Sequence, residues 1–405
     1  MRVLLIGAGG REHALAWKLA QSRQIDELHA APGNPGIAQL GECHPVRAED
    51  GEGLLDLAHG LRVDLVVVGP EAPLVAGVAD DLRHAGVSVF GPSKRAARIE
   101  GSKSFAKEVM RSAGVPTATT MSVARPPCVV KVDGLAGGKG VFVCPDQESL
   151  DAALRQVARL DQPLVIEELL EGEELSLFAL ADGRDVVALA PARDFKRLFD
   201  FDHGPNTGGM GSYSPVADVN AGGVEDLVEA VHRPVVAELA KRGSPFVGLL
   251  YAGLMLTEAG PKVLEFNCRF GDPETQSILP RVQGDLVEAL ASAASGALST
   301  RALETAEHAA VTVVLAGRDY PERADAGSPI EGVEAAESTG ALVFHAGTAM
   351  RQGRLLTNGG RVLNVTALAP SLDEARQRAY AACDLISFAG MRLRRDIAAR
   401  AVNVV

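Results

Sequence analysis

Short apolar stretches alternate with amphipathic ones through the first 95 residues, and this alternation restricts the fold more than any other feature. The stretches RVLLI at 2–6, VDLVVV at 63–68 and VSVF at 87–90 have the composition of buried strands, and helical patterns lie between them. Because strands that alternate with helices form parallel sheets, we predict a parallel, doubly wound sheet over roughly residues 1–95.

The rest of the chain predicts further units, since 405 residues are too many for one ordinary core. One or two helices are expected over 93–116, and a strand-rich α+β segment follows at about 128–190. A helix near 223–242 precedes two strands, and residues 307–405 have the pattern of strands closed by a helix. We therefore expect a multidomain α/β protein.

Composition excludes several classes of function. The net charge of −12 argues against nucleic-acid binding, and no apolar run approaches the roughly 20 residues of a membrane-spanning helix. The five cysteines contain no C-x-x-C pair and suit reduced thiols. We therefore expect a cytoplasmic protein that acts on small molecules and has no membrane or nucleic-acid partner.

The segment GAGGREH (Gly7–His13) is similar to a dinucleotide-binding fingerprint but departs from it. Glu12 stands where the third glycine is needed, and the second strand lacks the terminal acid that holds a ribose hydroxyl. An NAD site is therefore not expected. Two interpretations stay open: a glycine turn that only leads into a helix, or a loop whose amides hold an anionic substrate group.

The segment KVDGLAGGKG (131–140), here named the lid loop, lies between two apolar strands. It lacks the Ser or Thr that closes a Walker A loop, and a strand rather than a helix follows it. Its glycines and its two lysines, Lys131 and Lys139, suit a flexible lid that closes over a polyphosphate. The alternative is an ordinary glycine-rich hairpin.

The segment VIEELLEGEEL (165–175) carries the carboxylates of Glu167, Glu168, Glu173 and Glu174. At the end of a strand, such carboxylates can accept hydrogen bonds from an adenine amine or from ribose hydroxyls. An acidic, solvated turn is the alternative, and only the lid loop upstream favours a nucleotide.

The segment KVLEFNCRFGDPETQ (262–276) runs from an apolar strand into charges and amides. Because side chains alternate along a strand, Glu265 and Asn267 point to one face. A carboxylate and an amide oxygen suit a hard cation such as Mg²⁺, which takes its remaining ligands from water and substrate phosphates. The guanidinium of Arg269 suits a carboxylate or a transferring phosphoryl group. A buried salt-bridge network is the alternative.

The segment RDFKRLFDFDHGPNTGGMGSYSP (193–215) combines the basic residues Arg193, Lys196 and Arg197 with a glycine-rich turn. Exposed amides in such a turn can hold a phosphate monoester or an acyl phosphate. A surface loop without function is the alternative, although the segment is long for one.

Four segments resemble the ATP-grasp superfamily in their chain order: the lid loop, VIEELLEGEE, GPNTGGMGSYSP and EFNCRFGDPETQ. Together with GGREHALAWK, APGNPG, VGPEAPL, EGSKSFAK and TNGGRVLNVTALA, the resemblance narrows to the phosphoribosylamine–glycine ligase family and covers nearly the whole chain. It implies a Rossmann-like N-terminal domain at 1–100 and an ATP-grasp lid region at 101–190, with its core at about 116–180. It also implies a central domain with the metal strand at 191–300 and a small C-terminal α+β domain at 301–405.

The family joins glycine to 5-phosphoribosylamine with ATP, which gives glycinamide ribonucleotide, ADP and phosphate through glycyl phosphate in purine synthesis. The resemblance implies this activity here, with Mg²⁺ or Mn²⁺ as cofactor, and a monomer is the expected state. Three alternatives remain: an ATP-grasp ligase for another carboxylate or amine, a regulatory protein that closes over ATP without turnover and, more distantly, a Rossmann oxidoreductase.

The resemblance also assigns residues. The implied ATP-binding residues are Lys103, Lys131, Lys139, Glu167, Leu170 and Glu174. The implied metal ligands are Glu265 and Asn267. We expect catalytic roles for Arg269 and Lys139. The expected substrate-binding residues are Asp194, Lys196, Asn206, Thr207, Gly208, Gly209, Arg269, Asp272 and Glu274.

Three features depart from the family. The segment from Pro116 to Lys131 and the one before PLVIEE are shorter than usual, so the lid is expected to lack a helix and a loop. Phe195 stands where a histidine is expected, and no histidine role is assigned there. The strand LLYAGLML offers no carboxylate, so substrate phosphates and water must complete the metal shell.

Overall fold

A computed structural model of the protein describes residues 1–135, 140–160, 162–299 and 303–402. This part of the chain forms five sheets of three or more strands, together with two-stranded ribbons. None of its helices is long and apolar enough to cross a membrane.

The N-terminal sheet is parallel throughout, and both of its faces are covered. Its strands, in sheet order, are Glu42–Cys43, Glu27–Pro32, Arg2–Gly7, Leu65–Val68 and Val89–Phe90. Leu4 packs into one core and Val3 into another, because successive side chains point to opposite faces. The helices of this unit are Gly10–Leu19, Gly51–Leu61, Glu71–Ala76 and Val78–His84. The predicted parallel, doubly wound sheet is confirmed.

Two helices, Lys94–Gly101 and Lys103–Ala113, follow the N-terminal sheet. Ser102 separates them because its extended backbone ends the first helix, and its hydroxyl caps the second by accepting a hydrogen bond from the amide of Phe105 at 3.2 Å. The second helix ends at Gly114, whose φ of +70° lies in the left-handed region that favours glycine.

The next unit is a small antiparallel sheet, here named the lid sheet. Its strands, in sheet order, are Val141–Cys144, Cys128–Val132 and Leu164–Glu168. The helix Gln147–Val157 packs on this sheet. Apolar side chains of the sheet and the helix, among them Val130 and Leu150, form a core separate from the other cores of the protein. The lid sheet is therefore a packing unit of its own.

The central sheet is antiparallel and holds the longest strands. Its strands, in sheet order, are Val186–Ala188, Glu173–Asp182, Val247–Thr257 and Gly260–Asn267, and the helix Ala221–Lys241 packs on it. Glu173–Asp182 pairs with Val247–Thr257 along its whole length. It therefore extends the central sheet, whereas the sequence places most of it in the lid core expected at about 116–180.

The C-terminal sheet combines strands from two parts of the sequence. Its order is Arg193–Asp194, Gly211–Ser214, Ala309–Ala316, Arg361–Ala369 and Leu342–His345, and the helix Leu372–Cys383 packs on it. The segment 193–215, here named the glycine-rich segment, was expected to hold a turn, but it contributes two of these strands, Arg193–Asp194 and Gly211–Ser214. The domain boundaries themselves stay a prediction.

The remaining elements are short. A second C-terminal sheet has the strands Asp325–Pro329, Arg354–Gly359 and Thr348–Arg351. Two ribbons are formed by Arg197–Phe199 with His203–Asn206 and by Val282–Gln283 with Glu304–Thr305. The other helices are Glu274–Ile278, Leu286–Ala294, Val333–Glu337 and Ala399–Val402.

Candidate active site

One cavity of about 1180 Å³, here named the cleft, lies where the lid sheet, the central sheet and the helix Lys103–Ala113 meet. Most of the predicted residues line it: Lys103, Lys131, Glu167, Leu170, Glu174, Asp194, Lys196, Asn206, Thr207, Gly208, Glu265, Asn267, Arg269, Asp272 and Glu274. Lys139 lies outside the described residues. The structure thus brings the residues predicted for ATP, metal and substrate into one place.

The carboxylate of Glu167 is buried between two lysines. Its Oε1 lies 2.7 Å from Nζ of Lys107, and its Oε2 lies 2.6 Å from Nζ of Lys131. Burial lowers the pKa of Lys107, although the charge of Glu167 opposes this shift. Because both oxygens are bonded to lysines, Glu167 holds two ammonium groups in place, whereas the sequence predicts a free acceptor for the nucleotide. One carboxylate between two ammonium groups leaves a net positive charge, which suits a phosphate.

The start of the lid loop is fastened to the N-terminus of the helix Lys103–Ala113. The carboxylate of Asp133 accepts hydrogen bonds from the amide of Lys103 at 2.6 Å and from the hydroxyl of Ser104 at 2.5 Å. The ammonium of Lys103 donates to the carbonyl of Gly134 at 2.9 Å. Burial lowers the pKa of Lys103, and the charge of Glu265 is the largest effect that opposes this. A third ammonium group therefore lies beside the cleft.

Glu265 and Asn267 lie two residues apart on the strand Gly260–Asn267 and line the cleft together. In the antiparallel pair they stand opposite Gly253 and Tyr251, and a register shift follows Gly253. Among the described residues, no hydrogen bond or ion pair engages either side chain. Two unpartnered hard oxygen donors that face a cleft fit Mg²⁺ or Mn²⁺.

The guanidinium of Arg269 is held by two carboxylates of the N-terminal part of the chain. Its Nε lies 3.1 Å from Oε2 of Glu71, and its Nη2 lies 3.4 Å from Oε1 of Glu100. Burial alone would lower the pKa of Arg269, but the charges of Glu100 and Glu71 raise it above its ordinary value. Glu100 also accepts from the amide of Cys268 at 2.8 Å. Two edges of the guanidinium are thus already occupied.

A cluster of charges lies on the floor of the cleft. The ammonium of Lys196 bonds the carboxylate of Glu174 and lies 3.6 Å from Oδ1 of Asp194. Glu274 is 5% exposed, and burial, followed by the charge of Asp194, raises its pKa to about 7. Burial also raises the pKa of Asp194. Glu274 is therefore poised to gain or lose a proton near neutral pH.

Arg361 reaches the cleft from the C-terminal sheet. Its Nη1 donates to the carbonyl of Gly208 and, at 2.7 Å, to the carbonyl of Asp272, and its Nη2 lies 2.8 Å from Oδ2 of Asp272. The amide of Gly208 donates to the hydroxyl of Tyr320 at 2.8 Å. These contacts fix Gly208 against Asp272, which follows the strand Gly260–Asn267.

Two predicted positions have structural explanations. Gly209 does not line the cleft: its φ is +106°, and a Cβ there would lie 2.4 Å from Cδ of Pro273, so this close approach requires glycine. The ring centroid of Phe195, which stands where the resemblance led us to expect histidine, lies 4.9 Å from the guanidinium carbon of Arg394.

In the segment GAGGREH, Glu12 fills the turn. Its carboxylate accepts from the amide of Gly9 at 2.6 Å and from Nε of Arg11 at 2.5 Å. A second cavity of about 370 Å³ borders this turn and is lined by Arg47 and Asp272. The turn thus faces a space next to the cleft.

Sequence reasoning missed five residues of the cleft or its supports: Glu71, Glu100, Lys107, Tyr320 and Arg361. Four of them lie in segments that carry the family resemblance, namely VGPEAPL, EGSKSFAK and TNGGRVLNVTALA. Those segments could have identified them, whereas nothing in the sequence around Tyr320 pointed to the cleft.

The cleft lies between an antiparallel lid sheet and an antiparallel central sheet, which hold lysines and hard oxygen donors around it. This arrangement defines an ATP-grasp enzyme. Models of the phosphoribosylglycinamide synthetase N domain, ATP-grasp domain and C domain match residues 1–100, 101–275 and 310–400. The chain belongs to this family, whose curated members are phosphoribosylamine–glycine ligases.

Individual relatives match over their full length. The phosphoribosylamine–glycine ligase of Streptomyces coelicolor is 50% identical over 419 residues, which cover 100% of both chains. That of Agrobacterium fabrum is 46% identical, with 99% of each chain covered. The crystal structure of the ligase from Thermotoga maritima matches with a TM-score of 0.84 at 36% identity, covering 98% of this chain and 100% of that one. A biotin carboxylase domain from Hydrogenobacter thermophilus, at 17% identity and a TM-score of 0.70 over 97% of this chain and 91% of that one, shares the fold.

Proposed function

We propose that the protein ligates glycine to 5-phosphoribosylamine with ATP and gives glycinamide ribonucleotide, ADP and phosphate in purine synthesis. The observation that carries this proposal is the arrangement of one cleft, in which Lys131 and Lys107, fixed by Glu167, lie with Glu265 and Asn267. Membership in the family supplies the identity of the two substrates.

The chemistry needs positioning and charge neutralisation, and no side-chain nucleophile. The carboxylate of glycine attacks the γ-phosphorus of ATP, and ADP leaves, which gives glycyl phosphate. The amine of phosphoribosylamine then attacks the carbonyl carbon of glycyl phosphate, and phosphate leaves. Lys103 and Lys131 hold the triphosphate of ATP, and Lys139 of the lid loop shares this role by the family resemblance.

Glu265 and Asn267 hold Mg²⁺ or Mn²⁺, because their side-chain oxygens are hard donors without another partner in the described part of the chain. The ion supplies Lewis-acid neutralisation of phosphate oxygens when bound. Leu170 and Glu174 lie along the same cleft and are assigned to the rest of the nucleotide.

The second substrate is assigned to the part of the cleft beside the glycine-rich segment. The amine must lose a proton as the amide forms, and Glu274 suits this step because its pKa is raised to about 7. Arg269 stabilises charge at the acyl phosphate while Glu71 and Glu100 orient it. The phosphoribosyl group is assigned to residues that line this part of the cleft: Asn206, Thr207, Gly208 and Asp272. Asp194 and Lys196 line the same cleft and are assigned to the same substrate.

A coupled assay of ADP release tests this function. ADP should form only when ATP, glycine and phosphoribosylamine are all present, and formate or bicarbonate should not replace glycine. Release with another acid or amine, but not with this pair, would identify a different ATP-grasp ligase. Tight ATP binding without amine-dependent release would identify a regulatory protein instead.

We also propose a monomer in the cytoplasm. All five cysteines lie within the described residues and are free thiols, which suits a reducing compartment. Light scattering after gel filtration tests the state, since a mass near 42.3 kDa is expected.

A further inference from the structure

Four side chains with metal-binding chemistry share one face at the edge of the N-terminal sheet. The edge strand Glu42–Cys43 runs parallel to Glu27–Pro32, with His29 opposite Glu42. The amide of His44 continues this pairing by donating to the carbonyl of Ala30 at 2.8 Å. Because residues two apart on a strand point to the same face, Glu27 joins His29, and His44 joins Glu42.

The ligand atoms of three of these residues converge. Nδ1 of His29 lies 3.1 Å from Nε2 of His44 and 3.8 Å from Oε2 of Glu42, and the three ligand atoms lie within 4.8 Å of one another. A tetrahedral Zn²⁺ with bonds of about 2.1 Å needs ligand separations of about 3.4 Å. The observed separations bracket that value, so small side-chain movements suffice to admit the ion.

The fourth residue supplies the support that metal-bound histidines usually have. Nε2 of His29, the nitrogen that faces away from His44, lies 3.3 Å from Oε2 of Glu27. A carboxylate that accepts this N–H fixes the ring and leaves Nδ1 free to bind a metal ion. The same carboxylate oxygen lies 3.3 Å from Nε of Arg2, which holds it in place.

We propose that His29, Glu42 and His44 bind one Zn²⁺ ion, with Glu27 as the positioning residue. Two imidazoles and one carboxylate favour Zn²⁺ or a similar transition-metal ion over Mg²⁺. The side chain of His29 is 6% exposed and that of Glu42 is 69% exposed, so the fourth position opens to water. None of the four is among the described residues that line the cleft, so the ion joins two strands at the sheet edge and serves a structural role.

Zinc titration of the full-length, metal-stripped protein against a chromophoric chelator tests the site. Wild type should bind one Zn²⁺ that His44→Gln loses, and Glu27→Gln should weaken this binding by roughly 10- to 100-fold. His59→Gln, which changes an exposed histidine of the helix Gly51–Leu61, is the matched control and should leave binding unchanged. The site should persist in Glu265→Gln, which separates it from the cleft.

Co²⁺ gives a second readout, since a tetrahedral complex absorbs visible light strongly. Zn²⁺ should also raise the melting temperature of wild type but not of Glu42→Gln, whose exposed side chain can be changed without harm to the metal-free fold. Equal Zn²⁺ affinity of wild type and His44→Gln would overturn the proposal, as would loss of the ion in Glu265→Gln alone. Either result would leave the two imidazoles as a hydrogen-bonded pair.

Discussion

Lys131 and Glu167 form a buried ion pair of 2.6 Å within the lid sheet. The same ammonium group donates at 2.8 Å to the carbonyl oxygen of Leu264, the residue before Glu265 on the central sheet. The position of Lys131, which we propose binds phosphate, is therefore coupled to the position of Glu265, the proposed metal ligand, although the two lie on different sheets.

Replacement of Glu167 by glutamine should destabilise the protein and weaken ATP binding. The ammonium groups of Lys107 and Lys131 would stay buried without a neutralising charge, at a cost of roughly 3 kcal/mol in the free energy of unfolding. Urea unfolding and the KM for ATP measure the two effects. Glu168→Gln is the control, because Glu168 pairs with Lys262 at a partly exposed site and should cost less than about 1 kcal/mol. Equal losses of unfolding free energy in the two variants would contradict the stabilising role of Glu167 between Lys107 and Lys131.

Glu265→Gln should lower kcat/KM by about 100-fold or more, because the charged donor of the proposed metal site is removed. Initial rates measured over a range of Mg²⁺ concentrations should show a higher metal requirement. Glu258→Gln changes an exposed carboxylate in the turn of the same hairpin and should retain normal rates. A normal Mg²⁺ dependence of Glu265→Gln would remove this residue from the site.

Glu274 should make the stability of the fold depend on pH. Burial and then the charge of Asp194 raise its pKa from 4.5 to about 7. Between these values the folded protein keeps a proton that the unfolded chain has released, so stability falls as the pH rises through this window. The loss is on the order of 3 kcal/mol and stays constant above this window.

Glu274→Gln cannot ionise and should lack this loss. The difference in unfolding free energy between the variant and wild type should therefore grow in favour of the variant from pH 4.5 to pH 8. Urea unfolding at several pH values measures it, and a difference that stays flat with pH would show that the carboxyl group titrates normally.

Arg361→Met should raise the KM for phosphoribosylamine while that for ATP changes little. The substitution releases the carbonyl of Gly208 and the carboxylate of Asp272, which border the proposed phosphoribosyl site. Kinetics with each substrate varied in turn would measure the effect. Arg354→Met, at an exposed position of the second C-terminal sheet, is the control. A rise confined to ATP would place the arginine at the nucleotide instead.

The sequence predicts the N-terminal sheet and the strand that carries Glu265 and Asn267 well, because both depend on local patterns. Apolar runs that alternate with helices fix a parallel sheet, and the spacing of Glu265 and Asn267 on one strand fixes their common face. The strand Glu173–Asp182 was harder to place, because its apolar pattern predicts a strand but does not determine which sheet it joins.

The pairing of charges could not be predicted in the same way. Arg269 meets Glu71 across 198 positions, and Arg361 meets Asp272 across 89. In a sequence, an arginine next to a glycine-rich turn is typical of an anion site. Only the tertiary structure shows that carboxylates already pair with these guanidinium groups. The same holds for Glu167, whose two lysine partners come from different elements.

The C-terminal sheet draws strands from two distant parts of the sequence, and this limits how the chain can be divided. A polypeptide that stopped near residue 300 would lack three of the five strands of that sheet. Gly211–Ser214 would keep only Arg193–Asp194 as a partner and would expose amides and carbonyls along its other edge. Gene fusion or domain exchange at that point would therefore damage the catalytic half even though every predicted ligand lies upstream of it.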